Sequence, residues 1–270
     1  MSADTLLSVR DLTKVFGHGR NQATAVAGVT FDLEQGGAMG IVGESGSGKT
    51  TTARMIIGLE TPTSGSIRFR GEDRTHPARG VRALRERGRN IQIVFQDPYT
   101  SLDRRQRIGD CLAEVIGVHF RLGRDATRAR VRELGELVGL DERQLNALPK
   151  SLSGGQRQRV AIARALAAEP EVLILDEAVS ALDVSVQAQI LNLLSDIRDS
   201  QGVSYLFISH DLAVIRQVTE HSIVMRRGEV VEQGLTADLL DDPQHPYTRQ
   251  LRDSVPRDGW DPASVLTAHH

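Results

Sequence analysis

The sequence predicts an α/β fold: a core sheet carrying a phosphate-binding loop, with an antiparallel β subdomain and an inserted α-helical subdomain. Three observations carry this expectation. A glycine-rich stretch, Gly43, Glu44, Ser45, Gly46, Ser47, Gly48, Lys49 and Thr50, lies between the apolar run 38–42 and a helix-forming segment that starts at Thr51 and extends to residue 59. The apolar runs 172–175 and 203–208 read as strands buried on both faces, and each delivers polar residues at its end, Asp176-Glu177 and Ser209-His210-Asp211. Three stretches with helical spacing, 108–118, 126–138 and 142–148, follow one another and break the strand–helix alternation.

The glycine-rich stretch has the spacing of a phosphate cradle in its required strand-before, helix-after context. Glycines allow successive backbone N–H groups to turn inward, and the helix that begins there adds the positive end of its dipole. Lys49 is placed to reach the outer phosphates, and Thr50 to hold Mg²⁺. Of the 33 cationic residues only Lys14, Lys49 and Lys150 are lysines, so Lys49 reads as a geometric requirement. A compact ammonium fits inside such a loop where a planar guanidinium is too broad.

Composition bounds the rest. A chain of 270 residues with 40% hydrophobic and 25% charged content supports one large domain or a domain with a subdomain. A net charge of −2 offers nucleic acid no general attraction. No apolar run approaches the ~20 residues that span a bilayer, and the first five residues do not resemble a signal peptide, so a cytoplasmic protein is expected. Cys111 is the one cysteine, which excludes an intrachain disulfide and reads as a core or helix residue.

Taken in order, 6–15 is a first strand running into a flexible tip at 17–21, and 25–33 a second strand. Phe16, beside that tip, serves equally well as a core aromatic or as a base-stacking platform. After the first helix, 66–69 is a short strand, and the arginine-rich 71–90, without a sustained apolar face, reads as solvated surface. The strand 91–95 stops at Gln96, whose amide can ligate a metal or orient a water. A helix starting near Gln156 and ended by Pro170 follows Ser153-Gly154-Gly155, which is either a second anion site at a helix N-terminus or a plain N-cap.

Strand ends in a parallel sheet deliver ligand-binding residues, so Asp176 and Glu177 are expected to face the phosphate loop. Asp176 suits Mg²⁺ directly or through water, and Glu177 suits a water-polarising base. His210, at another strand terminus on the same edge, is positioned to contact a terminal phosphate. A helix over 184–198, a hairpin of 222–225 with 229–232 and a short helix over 236–240 complete the ordered part, with the residues from 255 to 270 as a loosely held tail.

The order of these motifs decides more than any one of them. The phosphate loop, Gln96, Leu152-Ser153-Gly154-Gly155-Gln156, Leu173-Ile174-Leu175-Asp176-Glu177, Ser180-Ala181-Leu182-Asp183 and His210 together resemble an ATP-binding cassette (ABC) ATPase over about residues 6–251. The resemblance implies an ATPase domain over 1–254 with a helical subdomain near 105–160. It implies ATP and Mg²⁺ as ligands, Phe16 on the adenine, residues 43–50 with Thr51 on the triphosphate, and Thr50, Gln96 and Asp176 around the metal. Glu177 matches the catalytic base, His210 the switch histidine, and Gln96 a water-orienting residue. It also implies a head-to-tail dimer in which Ser153, Gly154, Gly155 and Gln156 of one subunit cover ATP held by the other, with Asp183 at the seam.

The stretches from Val94 to Tyr99, from Ala178 to Gln189 and His245-Pro246-Tyr247-Thr248 look like the ATPase subunits of bacterial dipeptide, oligopeptide and nickel importers. That implies a second ATPase subunit, two permease subunits and an extracytoplasmic binding protein as partners, and a place on the cytoplasmic face of the membrane. Ala178 stands where many relatives have proline, and the tail lacks a cysteine cluster, so no iron–sulfur centre is expected. The competing expectation is a soluble ABC ATPase acting on nucleic acid or ribosomes. It is weakened because the chain has no second cassette, long coiled coil or basic arms.

Overall fold

The computed structural model describes residues 5–17, 19–97 and 102–253. The segment 255–270, read from the sequence as a tail, and Pro98 and Tyr99 of the importer-like stretch lie outside the described residues.

Two sheets form the frame. The first strands, β1 (Thr5–Phe16) and β2 (Ala23–Glu34), pair antiparallel and join β4 (Ser64–Phe69) and β5 (Glu72–Asp73) in the order β2-β1-β4-β5. The second sheet has the order β10-β9-β3-β8-β7-β6, built from β3 (Ala38–Val42), β6 (Ile91–Val94), β7 (Val172–Asp176), β8 (Ser204–Ser209), β9 (His221–Arg226) and β10 (Glu229–Leu235). All its pairings are parallel except β9 with β10.

The continuous apolar runs of the second sheet follow from burial on both faces. Along β7, Leu173 and Leu175 enter one core, while Val172 and Ile174 enter the other. Tyr205 and Phe207 alternate in the same way with Leu206 and Ile208 along β8. One core lies toward the antiparallel sheet and α1 (Lys49–Ile56), and includes Leu12, Val29, Phe31, Ile67 and Met55. The other is filled by the helices that interrupt the alternation, α3 (Ile108–His119), α4 (Arg124–Leu137) and the one-turn α5 (Glu142–Leu145), together with α6 (Gly154–Leu166). Cys111 is buried there, and desolvation raises its thiol above the ordinary range. Each fully buried Leu or Ile in these cores stabilises the fold by about 1.5–3 kcal/mol.

The structure departs from the sequence expectation at several helices. Residues 81–90, read as solvated surface, form the helix α2 (Val81–Asn90). Both readings hold in part, because α2 has no buried residue and its Val81 and Leu84 are exposed. Its anchor is polar: Arg87 reaches back to the carbonyls of Asp73, Arg74 and His76. Beyond α7 (Val184–Gln201), the helix α8 (Leu212–Val218) starts at Asp211, whose carboxylate accepts the N–H groups of Ala213 and Val214. The closing segment adds α9 (Thr236–Asp241) and α10 (Pro246–Asp253), the latter outside the periodic pattern seen in the sequence.

Candidate active site

Strand register assembles the site. Val42 at the end of β3 lies beside Ser209 at the end of β8, and Ile208 lies beside Asp176 at the end of β7. The next residues out, Gly43, His210 and Glu177, therefore leave the sheet at one edge. This is the carboxyl edge where parallel sheets bind ligands.

The loop 43–50 is shaped by close approach. Gly43 has φ +156°, and a Cβ there would lie 2.2 Å from the Met225 carbonyl oxygen, so only glycine fits between the loop and β9. Lys49 is 5% exposed, and its Nζ donates to the carbonyls of Gly43 at 2.6 Å and Glu44 at 2.9 Å. Burial lowers the lysine's pKa from its ordinary value, and the carboxylates of Glu177, Asp176 and Glu44 work against that. Ser47 Oγ is buried at the loop without a hydrogen-bond partner. A buried hydroxyl left without a partner at a glycine-rich loop is hydrogen-bonding capacity that a bound anion can take up.

Thr50 and Asp176 meet directly, Thr50 Oγ1 donating to Asp176 Oδ1 at 3.1 Å. Asp176 is 4% exposed, and desolvation raises its carboxyl above the usual range, reinforced by the neighbouring Glu177 and opposed by the Thr50 hydroxyl and Lys49. A hydroxyl, a buried carboxylate and the amide of Gln96 are hard oxygen donors of the kind Mg²⁺ prefers. Among the described residues no group of three or more His, Cys, Asp or Glu side chains is placed to hold a metal. A cation at Thr50 and Asp176 therefore needs phosphate oxygens to complete its shell. Gln96 Nε2 donates to Ser180 Oγ at 3.3 Å, and Ser180 Oγ in turn donates to the Glu177 carbonyl at 2.9 Å.

Glu177 has φ +54°, a left-handed conformation that is costly for a residue with a Cβ and that concentrates at functional sites. Its N–H donates to the Ile208 carbonyl at 2.9 Å, which fixes the turn. The carboxylate lies between two groups: Oε2 is 2.6 Å from His210 Nδ1, and Oε1 is 3.9 Å from Lys49 Nζ. Loop lysine, strand-end carboxylates and histidine thus converge within one chain.

Two predicted groups are placed elsewhere. Phe16, at the end of β1, is 40% exposed with Lys14 Nζ 4.8 Å from its ring centroid, so it is not a core aromatic. Ser153 caps α6: its Oγ accepts the Gln156 N–H at 3.3 Å, and Gln156 Oε1 accepts the Ser153 N–H at 2.8 Å. That is a capping box. Among the described residues no hydrogen bond or ion pair links Ser153, Gly154, Gly155 or Gln156 to the loop 43–50. Within one chain, then, the Ser-Gly-Gly-Gln stretch is a capped helix start with Ser153 and Gly154 exposed. Gly155 also has a packing role, since a Cβ there would lie 2.5 Å from Val186 Cγ1 at the start of α7.

Sequence reasoning missed Tyr247. Its hydroxyl accepts the Glu44 N–H at 3.1 Å, a contact across 203 residues that nothing in local spacing announces.

Comparison with known proteins agrees with this geometry. The family model described as ABC transporter matches residues 26–180. A putative peptide import ATP-binding protein of Brucella abortus is 48% identical over 94% of this chain and 78% of its own length. The Di/tripeptide transport ATP-binding protein DppF of Pseudomonas aeruginosa is 43% identical over 96% of this chain and 81% of its own. Among solved structures, the post-hydrolysis dimer of the ATP-binding cassette MJ0796 with ADP and Pi superposes with a TM-score of 0.76 at 29% identity, covering 86% of this chain and 99% of that one. The chain belongs to the ABC transporter family.

Proposed function

We propose that this chain is the ATP-hydrolysing subunit of a peptide importer, bound peripherally at the cytoplasmic face of the membrane to two permease subunits that receive cargo from an extracytoplasmic binding protein. One observation carries the reading: Glu177, held in a left-handed turn, presents its carboxylate between Lys49 and His210 at the mouth of the phosphate loop. A carboxylate so placed accepts a proton from the water that attacks the terminal phosphate. Lys49, already desolvated, exchanges its carbonyl partners for phosphate oxygens, and His210 orients Glu177 through the 2.6 Å contact. Thr50, Asp176 and Gln96 are the residues that would hold Mg²⁺, which when bound neutralises charge on the outer phosphates.

The second half of the proposal concerns a partner subunit. The exposed start of α6 is an anion-binding helix end that its own chain leaves unused, and in a head-to-tail pair it covers the nucleotide of the other subunit. ATP then closes the pair because it binds the closed state better, and hydrolysis releases it. A groove of about 950 Å³, lined by Asp103, Gln106, Arg107, Asp110, Glu114 and Arg164, lies beside the segment that follows Gln96. This groove is the proposed seat of the permease, where opening and closing of the pair is transmitted. Among the described residues no helix is long and apolar enough to cross a membrane, so passage of cargo is left to the partners.

Peptide rather than another solute follows from the printed names of relatives that align with nearly the whole chain. The same relatives argue against a soluble ATPase acting on nucleic acid. Affinity purification from the native membrane tests the reading. The expected result is co-recovery of two polytopic membrane proteins and ATP hydrolysis stimulated by peptide-loaded binding protein. Recovery free of membrane proteins but bound to nucleic acid would overturn it.

A further inference from the structure

The closing segment of the chain, from Thr236 onward, lies outside the 26–180 match to the family model, yet it reaches the phosphate loop. The contact falls on one peptide unit. The carbonyl of Gly43 accepts from Lys49 Nζ at 2.6 Å, and the N–H of the same peptide, that of Glu44, donates to Tyr247 Oη at 3.1 Å. The peptide plane that pins the loop lysine is thus held at both ends.

Tyr247 is itself fixed from every side. It is 2% exposed, and burial raises its phenol above the ordinary pKa, so it remains a neutral hydroxyl. The Arg226 guanidinium at the end of β9 lies 4.8 Å from its ring centroid. Its N–H donates to His245 Nδ1 at 3.2 Å. The preceding turn is tied to β10, where the Glu232 carboxylate accepts the N–H of Gln244 at 2.7 Å and of His245 at 3.1 Å. The loop therefore rests on a rigid post whose foot is the β9–β10 hairpin.

We propose that Tyr247 is a positioning residue of the nucleotide site: its hydroxyl sets the Gly43–Glu44 peptide plane, and with it the resting position of Lys49, and thereby couples loop occupancy to the closing helix α10. Without the phenolic oxygen that plane is free to rotate and Lys49 loses a fixed acceptor. Triphosphate binding must then order the loop as well as fill it. Coupling is reciprocal, so nucleotide in the loop also steadies Tyr247 and α10. The proposal rests on the assignment of residues 43–50 as the triphosphate site.

Tyr247→Phe keeps the ring and its contact with Arg226 but removes the hydrogen bond. One net hydrogen bond corresponds to roughly a three- to ten-fold change in an equilibrium constant. The expected result is a rise of that size in the Kd for a fluorescent ATP analogue and in the KM for ATP of the membrane complex, with kcat within about two-fold and Tm nearly unchanged. Unaltered Kd and KM would overturn the proposal, whatever happens to Tm. Lys49→Ala, run in parallel, separates the two levels. If it leaves analogue binding intact, the loop assignment fails; if it abolishes binding while Tyr247→Phe does not weaken it, only the role of Tyr247 fails. Should Tyr247→Phe not fold, hydrogen exchange of the unaltered 270-residue chain decides. Saturation with the analogue is expected to slow exchange across residues 244–253, and unchanged exchange there would overturn the coupling.

Discussion

Gly155 serves two purposes at once. Its bare Cα leaves the start of α6 accessible, and the same absence of a side chain lets Val186 pack 2.5 Å from where a Cβ would stand. Valine is stiff at χ1, so it cannot swing aside easily. Gly155→Ala is expected to cost about 1–3 kcal/mol of stability by overpacking. In a Val186→Ala background the same change is expected to cost less than about 0.5 kcal/mol, because the clash has gone. Chemical denaturation of the four proteins checks this, and equal costs in both backgrounds would show that the contact with Val186 is not what the glycine relieves.

The residue scale is also where the sequence was most and least informative. Lys49, Thr50, Asp176 and Glu177 were legible because strand-end acids and a loop lysine sit at fixed offsets from apolar runs that can only be buried strands. The left-handed backbone of Glu177 and the pairing with His210 were not legible, since they depend on β7 and β8 lying side by side. An aromatic at a strand end carries no periodic signal, so the sequence does not separate core from platform for Phe16, and its 40% exposure closes off the core alternative.

At the scale of elements, the β9–β10 hairpin and α10 form a latch governed by Glu232. Burial pushes its carboxyl upward, but the nearby Thr248 hydroxyl together with the backbone N–H groups of Gln244 and His245 outweighs this and holds it below the ordinary 4.5. A carboxylate with a depressed folded-state pKa contributes stability that is present above its unfolded value and disappears as pH falls through the folded one. Glu232→Gln is therefore expected to lose about 1–2 kcal/mol near pH 7, the order of one charge-assisted hydrogen bond. The gap to the wild type is expected to close as pH falls below 4.5. Urea unfolding at a series of pH values tests this, and a gap that persists at acid pH would show that the latch does not depend on the charge.

Elements differ in how far their sequence announces them, for a physical reason. Strands β7 and β8 are continuous apolar runs because both of their faces are buried. Helices α3 and α4 keep an apolar stripe because one face meets the sheet core. Helix α2 has neither: Val81 and Leu84 share one helical face but that face is exposed, and the anchor is Arg87 on three carbonyls, so a short apolar pair among arginines reads as solvated surface. Helix α10 is short, and its long-range ties include the Glu232 carboxylate on the His245 N–H just before it and the Tyr247 hydroxyl on the Glu44 N–H, which local pattern does not encode.

At the scale of the molecule, the parallel sheet acts as a collector. Its register brings the loop, two acids and a histidine to one edge, while α6 starts at a partly exposed capping box that shares no hydrogen bond with the loop among the described residues. A single chain so built holds one half of each of two sites, which is the physical content of the proposed pair. The groove lined by Asp103, Gln106, Arg107, Asp110, Glu114 and Arg164 is the surface proposed above for the membrane partners. The fold class was legible from the loop in its strand–helix context and from the three interrupting helices. The head-to-tail arrangement of Ser153, Gly154, Gly155 and Gln156 over another subunit's loop comes from the family resemblance alone, because distance between elements is a property of the assembled sheet.

The central claim is that Glu177 is the base that drives hydrolysis at a site which binds ATP through the loop 43–50. The most direct measurement is phosphate release and nucleotide retention by the membrane complex carrying Glu177→Gln. General-base catalysis contributes about 10²–10⁴ in rate. The account predicts that turnover falls at least about 100-fold while ATP stays bound and the paired state persists. Hydrolysis by Glu177→Gln at the wild-type rate would contradict it.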